Sequence, residues 1–416
     1  MQKNTKIIFI RLCGVVISSF TAFFSIRILN NYSVENSSTL IGFLAWLVFT
    51  PIFQFGFGRP SYTEIRSRYI DNVLNNLLIK SFLKLFTFQS IVASLFFGFL
   101  AILIGYSQGY NKSIFGLFFF ALGIASLGSC SLLKDISYSI DKELTFELLE
   151  IIRRSFLLVI YLLLSIKISF TVVGILGIII AITTHYIQLK STYIITTSNN
   201  DKTTEWKKIK PNIYIKAKQF LGFSVNELIL YNAVLVAMTV KGNSQNIIFM
   251  GIWAKIFLLM TLPMRIYVDS SINSITKKYY TKKKKETWNE LIKCLKIGLI
   301  VLVINISLLG QFSVTLFKWL NADFMNNEIY FLAAICLWSV GNLIQHIFGS
   351  FLISNNDSFK EAYKFSLIAM LTISIPSIYC TWNNYNISLI MFIIGILYIC
   401  TALLYSFNSR SILIVK

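Results

Sequence analysis

The sequence predicts an all-α integral membrane protein with twelve transmembrane helices in two six-helix lobes. The prediction rests on the composition, on the lengths of the apolar runs and on the distribution of Lys and Arg between them. Of the 416 residues, 56% are hydrophobic and 13% are charged, whereas a soluble protein carries about 25% charged residues. The mean hydropathy of +0.68 indicates that most of the chain lies in a bilayer.

Twelve apolar runs are candidates to cross a hydrocarbon core about 30 Å thick, and the fifth and eleventh of them are short. The first run follows Lys3 and Lys6, as in a signal peptide, but it continues to Leu29 without a clear small-x-small cleavage site. It is therefore predicted to remain as the first span. The predicted spans are 7–29, 39–58, 85–106, 114–133, 152–167, 170–189, 220–240, 247–266, 297–317, 329–353, 366–382 and 387–407.

The cations between these spans predict the topology. Lys and Arg accumulate in cytoplasmic loops of membrane proteins. With both termini inside, the inner segments hold thirty-two of the thirty-eight cations and the short outer segments hold four. Nine of the inner cations lie in a basic loop predicted at 265–296, which begins with Arg265. The amphipathic inner segments after spans 2, 4 and 8 are expected to continue as helices along the inner surface. Both termini are predicted to be cytoplasmic.

The longest central gap divides the chain into two halves of six spans. The predicted lobes are 1–195 and 220–416, joined by a cytoplasmic linker at 196–219 that is polar and contains Pro211. Because each half has an even number of spans, both halves enter the membrane in the same orientation. This arrangement is typical of parallel repeats related by an axis along the membrane normal.

Motifs for soluble chemistry are absent from the sequence. It contains no GxxxxGK[ST], HExxH or GxSxG pattern, so no nucleotide, metal or other cofactor is predicted. The six cysteines show no CxxC spacing and are interpreted as buried apolar residues. The net charge of +20 is spread over short loops, which argues against nucleic acid as a partner.

Two charged residues lie within predicted neighbouring spans. By helix rise, Glu227 lies roughly 10 Å and Lys255 about 15 Å from the inner end of its span. One interpretation is a structural ion pair across the hairpin. The other is that both line a water-filled cavity, because charges inside membranes usually mark pathways. Glu227 is then a candidate for coupling to a cation.

Other polar residues within spans have two readings each. Arg27, near the outer end of span 1, either snorkels to the interface or faces a cavity. Asn342 and His346 are four residues apart in span 10, with Gln345 and Ser350 beside them. That stripe predicts either contacts between helices or a cavity lining.

His185, near the inner end of span 6, is expected to be interfacial.

Three features resemble the polysaccharide flippases of the multidrug/oligosaccharidyl-lipid/polysaccharide exporter (MOP) superfamily, the O-antigen and capsule transporters of Wzx type. The first is the six-plus-six plan with both ends inside. The second is Phe55-Gly56-Phe57-Gly58-Arg59, followed by Ile65-Arg66, which resembles the FG-containing turn of that family and its downstream basic residue. The third is Gly251-Ile252-Trp253-Ala254-Lys255, similar to the G-x-[FYW]-[AS] segment of the family. Pro60 departs from the pattern and is expected to shorten the inner helix.

The resemblance implies a flippase that moves a polyprenyl-diphosphate-linked oligosaccharide across a bacterial inner membrane by alternating access. The family holds a cationic cavity between its lobes, and Lys255 and Arg27 lie in similar spans here. Arg59, Asn342 and His346 are further candidates for substrate binding. Membrane lipids and a polysaccharide polymerase are the other implied partners. Two alternatives are a cation-coupled multidrug exporter of the same superfamily and a membrane polysaccharide polymerase or ligase, although the short outer segments argue against the latter.

Overall fold

The computed structural model describes most of the chain. Within the described residues the regular structure is entirely helical, which confirms the predicted fold class. The described residues are 9–10, 13–14, 16–18, 20–21, 24–25, 27–28, 34–70, 76–110, 113–193, 203–241, 244–280, 283–320, 329–354, 359–383 and 386–415. The helices are α1 Val34–Trp46, α2 Gly58–Ile70, α3 Asn76–Ser107, α4 Ile114–Ser129, α5 Lys134–Ser139, α6 Glu143–Ser165, α7 Phe170–Tyr193, α8 Thr203–Lys241, α9 Ser244–Tyr280, α10 Lys284–Trp319, α11 Ile329–Ser354, α12 Phe359–Trp382 and α13 Ile387–Arg410. Shorter 3₁₀ segments at Leu47–Gln54 and Cys130–Leu133 and a π turn at Ser411–Val415 complete them.

Nine segments of the described chain are long and apolar enough to cross a membrane. Each coincides with one of the twelve predicted spans, so the chain is a multi-pass membrane protein. The predicted fifth span lies in α6, whose last eighteen residues contain Glu150, Arg153 and Arg154 and are therefore less apolar. The predicted seventh span lies in α8. The predicted first span, 7–29, lies only partly among the described residues, and those are helical.

The chain divides into two compact units, Met1–Val225 and Asn226–Lys416. The division falls inside α8, which runs without a break from Thr203 to Lys241. The described part of the predicted linker, 203–219, is therefore helical. The predicted lobe limits of 195 and 220 stay a prediction.

The segments that follow predicted spans 2 and 8 are helical in their described parts, as expected. Pro60 does not shorten the inner helix, because α2 begins at Gly58 and Pro60 lies in its first turn, where a missing N–H costs no hydrogen bond. The predicted basic loop at 265–296 is also mostly helix, since α9 continues to Tyr280 and α10 begins at Lys284. Val268 and Ile275, two turns apart on α9, are buried, so one apolar stripe stabilises this extension.

Close helix contacts build the first unit. A Cβ atom on Gly123 of α4 would overlap the backbone of Gly174 on α7, so these two helices meet backbone to backbone. At the end of the unit that holds α2 and α5, Ile65, Phe82 and Ile213 share one buried apolar cluster. This cluster joins α2, α3 and the N-terminal part of α8.

In the second unit, α11 and α13 form the central pair. The Trp338 indole on α11 is 1% exposed and donates a hydrogen bond from Nε1 to the Met391 carbonyl on α13, at 3.0 Å. Its ring lies 5.3 Å from that of Trp253 on α9. These contacts fix the rotation of α9 and α11, and therefore the directions of the polar side chains on both helices.

Candidate functional site

The FG-containing turn connects the 3₁₀ segment Leu47–Gln54 to α2. Phe55 and Gly56 both have left-handed backbone conformations, with φ of 47° and 75°. A Cβ atom on Gly56 would overlap the backbone of Ala217 in α8. Only glycine allows both this conformation and this close approach. The turn therefore explains the glycine in the motif by packing within the first unit.

The second unit contains a polar cluster centred on Glu227 of α8. Gln345 of α11 donates a hydrogen bond from Nε2 to Glu227 Oε1 at 2.5 Å, and the Tyr405 hydroxyl of α13 approaches the same oxygen at 3.4 Å. Gln345 is 3% and Tyr405 0% exposed. Three helices thus meet at the Glu227 carboxylate.

Arg265 completes this cluster from α9. Its Nε donates to Asn342 Oδ1 at 3.0 Å, and Asn342 Nδ2 lies 3.4 Å from the Tyr398 hydroxyl. The Arg265 guanidinium also attracts the Glu227 carboxylate. The assignment of Arg265 to a basic loop was therefore wrong. The helix continues past the apolar run, and Arg265 turns back towards buried Asn342.

Two oxygens of the cluster lack donors among the described residues. Gln345 Oε1 is buried without a hydrogen-bond partner. The Glu227 contacts with the described residues both go to Oε1, so Oε2 receives none from them. A proton on Glu227 or a small cation would satisfy such oxygens. The described residues contain no group of three or more His, Cys, Asp or Glu side chains that could hold a metal ion.

Lys255 does not pair with Glu227. Among the described residues, this partly buried side chain makes no hydrogen bond or ion pair. The interpretation of the two residues as an ion pair is wrong, because helix rise gives the depth of each residue but not its direction. Trp253 packs into the core against Trp338, and Lys255 follows it by two residues, about 200° around the helix. One turn beyond Lys255, Leu258 is 42% exposed, so Lys255 lies at the margin of the second unit.

The remaining predicted site residues occupy varied environments. Arg27 lies at a helical position in the first unit, and its side chain is exposed. Arg59 lies in the first turn of α2, and its side chain is outside the described part. Asn342 is fully buried, and His346, on the next turn of α11, is partly buried.

His185 has a neighbour that the sequence did not predict. It lies in α7 with Nε2 3.0 Å from Thr87 Oγ1 of α3.

A second buried cation was missed in the first unit. Arg153 of α6 is 1% exposed and bridges Glu150 on its own helix, at 3.1 Å, and the side-chain carbonyl of Gln188 on α7, at 2.9 Å. Gln188 in turn donates to Ser137 Oγ at 3.2 Å. The count of inner cations included Arg153 but did not predict that its side chain is buried. Glu150 lies three residues before Arg153, and this helical spacing could have indicated that the arginine is paired.

Solved structures share this fold over nearly the whole chain. One is the inward-facing conformation of a multidrug resistance MATE family transporter of the MOP superfamily, with a TM-score of 0.71 and 10% identity over 95% of this chain and 94% of that one. Another is a MATE protein in the straight conformation, with a TM-score of 0.68 and 11% identity over 98% and 95% of the two chains. A third is a MOP superfamily transporter from Pyrococcus furiosus, with a TM-score of 0.65 and 11% identity over 98% and 95%. That protein is described as having a binding pocket of reverse polarity that suggests a different function.

The fold is therefore that of the MATE transporters in the MOP superfamily. No protein-family model and no curated protein matches the sequence.

Proposed function

We propose that the protein is a flippase that moves a polyprenyl-diphosphate-linked oligosaccharide from the inner to the outer leaflet by alternating access. The observation that carries the proposal is Lys255, a cation in the middle of a span without a partner among the described residues. A lysine near the centre of a bilayer costs roughly 3 kcal/mol on insertion scales. An anionic substrate group would offset that cost when it binds.

The diphosphate of a lipid-linked sugar is an anion of the required kind. Lysine binds phosphate as a point charge, so the flexible Lys255 ammonium can follow the group as it moves. Arg27 is the second proposed contact with the diphosphate because its side chain is exposed in a predicted span. Arg59 and His346 stay proposed contacts with the substrate. Asn342, buried between Arg265 and Tyr398, is assigned to holding Arg265.

Glu227 is the proposed coupling residue. The oxygens without donors on Glu227 and Gln345 suit a proton or a small cation, and Arg265 supplies a compensating charge when the site empties. Binding of a proton or cation to the Glu227 carboxylate would weaken its attraction to Arg265 on α9, the helix that also carries Lys255. The sequence has no motif for ATP hydrolysis, so an ion gradient or the membrane potential would supply the energy.

A multidrug exporter is the second candidate, because structural neighbours include MATE multidrug resistance transporters. An organic cation needs an acidic side chain to receive it. Glu227 is engaged by Gln345 and Tyr405 and lies near Arg265, while the partly exposed cation Lys255 would repel such a substrate. The charges of the described site therefore favour an anionic substrate.

The test uses the purified full chain in liposomes of bacterial lipid composition. A fluorescent polyprenyl-diphosphate disaccharide is incorporated, and dithionite added outside reports how much of it reaches the outer leaflet. We expect a larger quenched fraction than in protein-free vesicles, and a dependence on a proton or sodium gradient. Transport of ethidium without movement of the labelled lipid would favour the multidrug reading and contradict the proposal.

A further inference from the structure

A continuous groove runs along the first unit between α3 and α7. It consists of two adjoining cavities of about 660 Å³ and 440 Å³. Both are lined by Thr87, Ile91 and Leu189, so one leads into the other. On its outer side, Phe88 and Ile91 are 65% and 55% exposed. Inside a membrane span such apolar exposure faces lipid, so the groove opens sideways to the hydrocarbon.

One end of the groove is cationic. Lys80 and Lys84 lie one helical turn apart on α3, and both line the larger cavity. Both side chains are exposed. The topology predicted from the Lys and Arg distribution puts this end at the inner face of the membrane. A phosphate group at that level would contact two ammonium groups.

The other end of the groove is apolar. Its walls carry Leu95 of α3 and Ile182 of α7, both exposed. The serines of its floor bond to one another, since Ser90 Oγ donates to the Ser129 carbonyl at 3.1 Å and Ser94 Oγ lies 3.1 Å from Ser129 Oγ. Because these hydroxyls are already satisfied, the floor can contact a hydrocarbon chain without losing hydrogen bonds.

The length of the groove matches one leaflet. From Lys84 to Leu95, α3 rises about 16 Å at ~1.5 Å per residue. Half of a hydrocarbon core about 30 Å thick is ~15 Å. A phospholipid acyl chain extends through one leaflet only, whereas a polyprenyl chain is much longer. The dimensions therefore favour a phospholipid of the bilayer over the transport substrate.

We propose that this groove binds an anionic phospholipid of the inner leaflet, with its phosphate at Lys80 and Lys84 and one acyl chain against α3 and α7. The bound lipid would fill the groove and so stabilise the packing of the two helices. The residues that line this site all belong to the first unit and include neither Lys255 nor Glu227. The proposal of a lipid site therefore does not depend on the proposed transport activity.

The test is native mass spectrometry of the full chain in detergent, with dioleoyl phosphatidylglycerol and dioleoyl phosphatidylcholine titrated separately. We expect stronger retention of phosphatidylglycerol by the natural sequence. The double variant Lys80→Gln/Lys84→Gln should weaken its binding about 30-fold, from the attraction of two lysines for an anionic headgroup. The matched control, Lys216→Gln/Lys218→Gln, removes the same charge from exposed positions on α8 and should leave binding unchanged.

A third variant probes the acyl chain. Ser126→Phe fills the apolar end of the groove and should weaken phosphatidylglycerol binding while both lysines remain. Equal losses in the two lysine double variants would mean non-specific charge attraction and overturn the proposal. Equal retention of both phospholipids by the natural sequence would also overturn it. Displacement of phosphatidylglycerol by an equal concentration of polyprenyl diphosphate would assign the groove to the substrate instead.

Discussion

Two cations on α9 should respond in opposite ways to the same substitution. Arg265 donates a hydrogen bond to buried Asn342 and attracts Glu227. Lys255 has no such contact with the described residues. Replacing each by Met, which keeps a long unbranched side chain, removes a charge in both cases. Only the Arg265 change also removes interactions within the second unit.

The expected effects on the free energy of unfolding follow from these contacts. Lys255→Met relieves the cost of holding an ammonium group in the membrane, a gain of up to roughly 3 kcal/mol that is reduced by its partial exposure. Arg265→Met leaves Asn342 Oδ1 without this donor and Glu227 without its neighbouring cation. Removing one partner of a fully buried charge pair costs about 3–5 kcal/mol, and the partial exposure of Arg265 places the loss at or below the lower end.

Reversible unfolding of the purified variants in mixed detergent micelles measures both changes. Lys318→Met, at an exposed position on α10, is the control and should leave stability unchanged. We expect Lys255→Met to be at least as stable as the natural sequence and Arg265→Met to be clearly less stable. If Lys255→Met destabilises the protein as much as Arg265→Met does, Lys255 has a structural partner, and the argument for an anionic substrate fails.

Three further predictions concern coupling, packing and topology. Glu227→Gln should keep the protein folded, because an amide oxygen still accepts from Gln345, but transport should lose its dependence on the ion gradient in the liposome assay; an unchanged dependence would contradict the coupling role. Gly56→Ala should lower the unfolding temperature far more than Gly109→Ala, because both glycines have positive φ but only Gly56 lacks space for a Cβ atom; equal effects would show that φ alone matters. For topology, we expect cysteines introduced at Asn111, Asn243 and Asn384 to react with an impermeant reagent on intact cells. Cysteines at Asn199 and Lys283 should not react, and labelling at Lys283 would reverse the predicted orientation.

Hydropathy was sufficient to predict the fold class because a segment that crosses the bilayer must satisfy its own backbone N–H and C=O groups, and a helix does so. Nine predicted spans coincide with described helices of sufficient length. The helix ends were harder to predict. The α9 helix continues past its apolar run to Tyr280, since Val268 and Ile275, buried two turns apart, extend one apolar stripe beyond that run. Assigning the nine cations of 265–296 to a basic loop therefore misplaced Arg265.

The site was predicted only in part because sequence gives the depth of a residue but not the rotation of its helix. Glu227 and Lys255 have similar depths, yet Glu227 contacts Gln345 and Tyr405 instead. The rotation of α9 depends on Trp253 packing against Trp338, a contact between residues far apart in the chain. The requirement for glycine at position 56 also depends on a residue far away in the chain, since the backbone of Ala217 excludes a side chain there.

Binding of a diphosphate at Lys255 is the central claim, and isothermal titration with a short-chain prenyl diphosphate tests it directly. The natural sequence should bind this ligand, and Lys255→Gln should weaken the affinity roughly 10- to 100-fold, the range for losing one charge-assisted hydrogen bond. Lys255→Arg should retain part of the affinity because the charge remains while the geometry changes. Lys318→Gln should bind like the natural sequence. Equal affinity of Lys255→Gln and the natural sequence would contradict the account.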